Sequence, residues 1–267
     1  MESIPEYLGH RINVPEQLKS LYSHFYFAEN CSNETIKHTF LPSFQVMLIF
    51  SMGTPFTIQL KNQESVLVDR YLILGPVKRA FEYQLPPQSD IIVIHFLGDG
   101  FYRLFGSGQV DRQFLSSLDE DCLMGMRKFL HHLPDAASRA EYLITVGQSY
   151  LRDAPDVNLN FAHNCNQQPQ IKRIAEKYGK NIRTVQMQYQ KQLGFSAKEY
   201  SRYQRFIRAI AYIQSCVERD MLVDWAEVVF ECGYYDQSHL IRDFKHYLHL
   251  SPSQYLDIQW QVCDVSA

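Results

Sequence analysis

The sequence predicts two domains: a β-rich barrel with trailing helices, then an all-α domain built on two helix-turn-helix units. Three observations predict it. Between Thr35 and Gly98 short β-prone runs alternate with Pro, Gly or polar breaks. Between Ile171 and Tyr255 one helical plan occurs twice in the same order. Formal charge also changes sign along the chain. A length of 267 residues exceeds one typical domain, and both parts hold enough Leu, Ile, Val, Phe and Tyr for a core.

The β-prone runs are Phe44 to Phe50, Phe56 to Leu60, Ser65 to Leu74, Val77 to Leu85 and Asp90 to Leu97, and they suggest a small barrel or sandwich. Tyr71, Phe81, Tyr83 and His95 are candidates to line its interior, or to be plain core in a chain with 17 Tyr and 17 Phe. Gly98-Asp99-Gly100 reads as a surface turn. Gln109 to His132 and Ser138 to Leu151 read as helices, the first with Leu115, Leu118, Leu123, Met126, Phe129 and Leu130 on its apolar side. The boundary falls at Asp153-Ala154-Pro155-Asp156, giving domains 1–153 and 154–262, with a helix from Val157 to Cys165 and a polar loop from Asn164 to Gln170.

The first copy of the helical plan opens with a short helix from Ile171 to Tyr178, ended by Gly179. Asn181 then caps a helix from Ile182 to Leu193, which Gly194 stops. At 100° per residue Ile182, Val185, Tyr189 and Leu193 share one side, and Arg183, Met187, Gln190 and Lys191 take the other. In the second copy the turn is Cys232-Gly233-Tyr234-Tyr235, and Asp236 caps a helix from Gln237 to Leu248. Leu240, Phe244, Tyr247 and Leu248 lie together, opposite Ser238, Arg242, Lys245 and His246. Each copy closes on the same punctuation, Phe195-Ser196-Ala197-Lys198-Glu199-Tyr200 and Leu250-Ser251-Pro252-Ser253-Gln254-Tyr255. The units span about 170–194 and 223–248, joined by a helix from 196 to 215 that carries Tyr200, Tyr203, Phe206, Ile207, Ile210 and Ile213 on one arc and Lys198, Arg202, Arg205 and Arg208 on another.

Charge separates the parts. Residues 170–215 hold ten Lys or Arg against two Glu, residues 216–267 hold three basic against nine acidic, and residues 1–169 hold 13 basic against 18 acidic. A local excess of +8 in a chain of net charge −3 points to phosphate as the partner, so the first unit and the joining helix are expected to anchor the backbone. The acidic second unit is then left with fewer and more directional contacts.

Together these residues resemble the DNA-binding half of the AraC-type (AraC/XylS) transcription regulators. The run Gly233-Tyr234-Tyr235-Asp236-Gln237-Ser238-His239-Leu240, then Phe244-Lys245 and Leu250-Ser251-Pro252-Ser253-Gln254-Tyr255, carries the resemblance. It implies two helix-turn-helix units entering successive major-groove segments of double-stranded DNA. The family correspondence points to Arg183, Gln186 and Met187 in the first reading helix, where the wheel adds Gln190, and to Gln237, Ser238, Ile241 and Arg242 in the second. Thr184, Lys191, Arg202, Arg205 and Lys245 complete the candidate DNA contacts; for any one of them the alternatives are phosphate contact and plain exposure. Met187 and Gln188 stand where the family commonly has basic residues, Val229 where it has Ala, and His249 where Gly ends the second reading helix. The front of the chain is similar to the cupin-like sensor half of one group of these regulators, on Phe40-Leu41-Pro42, Leu48 to Gly53, Leu74 to Arg79 and Tyr102 to Gly106. This implies a cupin-like barrel that senses a small-molecule effector or forms a homodimer, and RNA polymerase as a further partner where the regulator activates.

An enzyme needs a clustered acid, base or metal. The barrel region offers His38 and His95 without an H-x-H pair, and His131-His132 lies in a helix where neighbours diverge by about 100°. The expectation is therefore no catalytic residue, no metal and no cofactor. Cysteines at 31, 122, 165, 216, 232 and 263 show no C-x-x-C spacing, which argues against a zinc site or a disulfide framework. The alternative function is a cupin-like small-molecule binder or enzyme that has lost DNA binding. No apolar run approaches a membrane span and the first residues lack a signal pattern, so the expected location is cytoplasmic.

Overall fold

The computed structural model describes residues 6–59, 65–110, 119–149 and 171–265. The expected boundary at Asp153-Ala154-Pro155-Asp156, the helix from Val157 to Cys165, the loop after it, and Leu115 and Leu118 lie outside the described residues. Among the described residues nine strands come first: β1 Tyr7–Asn13, β2 Tyr22–Asn30, β3 Ile36–Phe40, β4 Met47–Ser51, β5 Phe56–Gln59, β6 Ser65–Val68, β7 Tyr71–Leu74, β8 Phe81–Leu85 and β9 Asp90–Phe96. They form two antiparallel sheets in the orders β1-β2-β9-β4-β7 and β3-β8-β5-β6.

The pairing is nested. β5 pairs with β6, β4 with β7, β3 with β8 and β2 with β9, so the chain folds back on itself and successive strand pairs alternate between the sheets. That nesting is the jelly-roll plan of the cupin-like folds, and β1 extends one edge. Period-2 alternation sends Met47, Ile49, Ile91 and Val93 into the space between the sheets with Phe56, Ile58 and Leu85. Their neighbours Leu48, Phe50, Ile92 and Ile94 face a second apolar layer with Phe25 and Phe27. Strands β4 and β9 are thus covered on both faces, which is why they read as unbroken apolar runs.

The second layer is closed by helices α1 Gly100–Phe105, α2 Glu120–His132 and α3 Ala136–Ser149. Leu123, Leu130, Ala140 and Leu143 pack there, Arg139 reaches both carboxylate oxygens of Asp90 at 3.0 and 3.2 Å, and Arg127 Nε donates to the Ser51 carbonyl at 2.7 Å. Three expectations change. Strands β1, β2 and β3 were not among the expected runs. Gly98-Asp99 forms the expected turn, but Asp99 and Gly100 are buried and Gly100 opens α1, so close to Leu21 that a Cβ would lie 2.1 Å from its carbonyl oxygen. Phe129 is half exposed, stacked on Tyr142 at 4.4 Å.

The described residues from 171 on form the helices α4 Ile171–Lys177, α5 Ile182–Leu193, α6 Ala197–Glu218, α7 Trp225–Cys232, α8 Gln237–Tyr247 and α9 Pro252–Val265. Among the described residues, one compact unit comprises 6–149 with 171–195 and the other 196–265. Helices α4 and α5 cluster with the β-rich half. The joint is tight: Gly108 donates its N–H to the Lys191 carbonyl at 2.8 Å, Phe195 meets Phe44 edge-on at 5.2 Å, and a Cβ on Gly108 would stand 2.1 Å from the Gln192 carbonyl oxygen. No described helix is long and apolar enough to cross a membrane.

Candidate nucleic-acid interface

Helix α5 begins where Asn181 accepts the Arg183 N–H at 2.8 Å, and ends where Gly194 turns left-handed at φ 76°. The interior Val185, Tyr189 and Leu193 are buried, while Arg183, Thr184, Gln186, Met187 and Lys191 are exposed and Gln190 is half-buried. Ile182, expected on the apolar side, is 47% exposed. Helix α8 is set the same way. Asp236 accepts the His239 N–H at 2.7 Å, Gly233 supplies the left-handed turn before it at φ 75°, and Leu240, Phe244 and Tyr247 are buried. Gln237, Ser238, Ile241, Arg242 and Lys245 face out. Both helices therefore pack one side and leave the side that carries the candidate residues open.

Some of this construction was not among the expectations. The closing motif of each copy is a reciprocal capping box. Ser196 accepts the Glu199 N–H at 3.2 Å while Glu199 takes the Ser196 N–H at 2.8 Å; Ser251 and Gln254 repeat this at 3.2 and 2.8 Å. The S-x-x-E and S-x-x-Q spacing is readable in the chain. Asp224 caps α7 through the Ala226 N–H at 2.8 Å. Tyr235, the last residue of the second turn, is 91% exposed.

Arg202 and Arg205 are engaged inside the fold. Both were expected to anchor phosphate, and the structure turns them inward to Asp243, which is fully buried on α8. Arg202 Nε lies 2.6 Å from one carboxylate oxygen and Arg205 Nε 4.0 Å from the other. Arg205 also donates to His239 Nε2 at 3.2 Å and lies over the Tyr234 ring at 5.1 Å, and Arg202 lies over Tyr247 at 5.6 Å. The reason is the buried carboxylate: an uncompensated charge there is expensive, and two guanidinium groups from the neighbouring helix neutralise it. Arg208 is likewise engaged, with the Cys232 carbonyl at 3.4 Å. The exposed positive charge of the basic stretch belongs instead to Lys172, Arg173, Lys177, Lys180, Arg183, Lys191 and Lys198.

In the β-rich half Phe81, Tyr83 and His95 join the residues between the sheets, whereas Tyr71 packs on the helix side. His95 stacks on His24 at 4.1 Å, a pair that only the β2–β9 register brings together. Burial, with the two imidazoles and Arg11 opposing charge, lowers His95 to about 3, and burial with Arg11 lowers His24 to about 4. Among the described residues no group of three His, Cys, Asp or Glu could hold a metal. Cys31 and Cys122 are exposed free thiols, and Cys216 and Cys232 are buried ones.

Residues 174–258 match the family model described as a helix-turn-helix domain. The helical half is an AraC-type helix-turn-helix domain. Residues 10–111, in front of this AraC-type domain, match a model described as a domain of unknown function. No curated protein matches the chain. Solved structures similar in chain course include ToxT from Vibrio cholerae, at 12% identity over 94% of this chain and 98% of that one with a TM-score of 0.42. ToxT of Vibrio cholerae strain SCE256 with an unsaturated fatty acid bound gives 13%, 96%, 96% and 0.39. The cupin domain of an XRE family transcriptional regulator from Enterobacter cloacae gives 4%, 35%, 98% and 0.28.

Proposed function

We propose that this protein is a cytoplasmic, sequence-specific transcription regulator of the AraC type that reads two adjacent major-groove segments of double-stranded DNA. The observation that carries the reading is the pair of capped helices, α5 and α8. Each follows a left-handed glycine turn and buries one side, leaving an open side of paired donors and acceptors. Arg183, Gln186, Met187 and Gln190 on α5, and Gln237, Ser238, Ile241 and Arg242 on α8, are assigned to base edges. Thr184, Lys191 and Lys245 are assigned to phosphate, joined by Lys172, Lys177, Lys180 and Lys198 in place of the two inward arginines. The β-rich half is assigned control of the reading helices by a small-molecule effector, because α5 is docked on it through Gly108 and Phe44.

The test is selection of genomic fragments by the purified full chain, followed by titration of a selected fragment at several salt concentrations. The reading expects a preferred sequence with two blocks about one helical turn (10–10.5 base pairs) apart, and affinity that falls with salt. Retention of no fragment at low salt, or of all fragments equally, overturns it.

A further inference from the structure

The apolar layer between the five-stranded sheet and helices α2 and α3 is not filled. A cavity of about 300 Å³ lies there, floored by Leu48, Ile94 and Phe96 and walled by Met126, Leu143 and Val146. It is outside the barrel proper, whose interior is occupied on the opposite face of the same sheet by Met47, Ile49 and Val93.

Two glycines inside helices border this space, Gly125 on α2 and Gly147 on α3. Gly125 is exposed at the rim of this space, and the place a Gly147 side chain would take is already filled by Tyr22, so glycine at 147 is set by packing. A Cβ on Gly147 would fall within van der Waals overlap of the Tyr22 hydroxyl, while one on Gly125 would meet nothing within 4 Å.

Among the described residues the lining contains no Asp, Glu, Lys, Arg or His; its polar side chains are those of Tyr22, Tyr142 and the exposed Cys122. Burial by itself raises the Tyr22 phenol, consistent with a site free of charge. An apolar cavity of about 150 Å³ takes benzene, so this one has room for about two fused rings. An ionised ligand would lose its hydration with no countercharge to meet it.

We propose that this cavity binds a neutral, largely apolar molecule of about two fused rings, held between the sheet and helices α2 and α3 with one polar group at the Tyr22 hydroxyl. The site gives a chemical class to the effector of the β-rich half and rests on the proposed regulatory function only for its meaning, since binding is measured without DNA.

The probe is indole, titrated into the full-length protein by calorimetry, with iodoacetamide labelling followed residue by residue in the mass spectrometer. The expected result is saturable one-to-one binding that slows alkylation of Cys122 and leaves exposed Cys31 unchanged. Indole-3-acetate, which adds a carboxylate, binds at least about tenfold more weakly. Gly125→Leu places a side chain in the open space and suits a helix, and Val146→Phe narrows the wall; each keeps its far-ultraviolet dichroism and loses indole binding. The proposal is overturned by the absence of saturable heat, by equal slowing at Cys31 and Cys122, or by folded Gly125→Leu and Val146→Phe that bind as the parent does. It is also overturned if protection of Cys122 rises with protein concentration and ignores indole, because a second copy then covers the opening. Failure of indole binding leaves DNA binding untouched, and the reverse holds.

Discussion

The two helix-turn-helix units share a plan and differ in what holds them. The first exposes its positive charge along Lys172, Arg173, Lys177, Lys180, Arg183 and Lys191 and is packed on the β-rich half. The second is acidic overall and is fastened within its own unit by a buried carboxylate, Asp243, set between Arg202 and Arg205. The difference teaches that basic residues within one stretch need not do one job. Arginines on α6 neutralise a charge inside the fold, while the lysines of the first unit stay on the surface. Affinity that depends on salt should therefore follow the first unit, and discrimination among bases the second.

The largest break comes from Asp243→Leu compared with Asp243→Ala. Removing one partner of a buried ion pair is expected to cost about 3–5 kcal/mol, because the remaining charges lose their counterion. With alanine, Arg202 and Arg205 have room to reach water, so the loss should sit at the low end; leucine traps them. Urea unfolding followed by the dichroism of the second unit reads the difference. An Asp243→Ala protein as stable as the parent would remove the clamp from the account.

The next effect separates the units by pH. His95 is 5% exposed and is held at about 3, so the folded β-rich half resists a proton that the unfolded chain accepts near 6.5. For a depressed histidine, stability is full above the unfolded pKa and falls as pH drops toward the folded one. Between pH 6.5 and 5 His95 should cost about 2 kcal/mol, with a contribution in the same direction from His24. Residues 171–195, packed with that half, should lose hydrogen-exchange protection along with it, while 196–258 keep theirs. The His24→Gln, His95→Gln double variant should flatten the slope; an unchanged slope would place the acid sensitivity elsewhere.

At the DNA surface the comparison becomes Arg242→Ala against Lys180→Ala. A lost bidentate base contact is worth about 1–3 kcal/mol at one position of the site and relaxes preference there. A lost phosphate contact weakens all sequences alike and reduces the salt slope by about 1. Salt-dependent titrations against a matched and a singly mismatched duplex distinguish the two. If Lys180→Ala changes the sequence preference and Arg242→Ala only the slope, the roles are reversed.

How far the chain could be read follows from where the information lies. Local signals carried well: Asn181, Gly194, Gly233 and Asp236 sit at the caps and turns where their residue types place them. The outward sides of α5 and α8 follow from helical periodicity, which needs no partner. Pairing across the chain did not carry. A wheel puts Arg202 and Arg205 on a polar arc, but only the packing of α6 on α8 shows that the arc meets Asp243. The jelly-roll nesting, the His24–His95 stack and the seat of α5 on Gly108 depend likewise on register and docking between distant segments. Strand β2, from Tyr22 to Asn30, mixes polar residues into an aromatic run and gives no clean break at its start, so the β region is first legible only after it.

The smallest effect concerns how the second reading helix stops. Gly194 ends α5 at φ 76°, but the residue that turns left-handed after α8 is His249, at φ 65°. A side chain there crowds its own backbone, a strain of about 1–2 kcal/mol that glycine does not feel, although histidine tolerates the region better than a branched residue. His249→Gly should therefore stabilise the second unit by up to about 1 kcal/mol, less the entropy glycine adds to the unfolded chain and the contacts the imidazole makes. The matched change in the first unit, Gly194→His, runs the other way and more steeply. A Cβ there would lie 2.3 Å from the Gly108 carbonyl oxygen, so it would strain the turn and also prise α5 from the β-rich half. Chemical denaturation of the two variants side by side tests whether the stops are equivalent. Equal and opposite shifts would mean that the left-handed turn alone matters, whereas a larger loss at Gly194 would mean that the first stop is also the docking point.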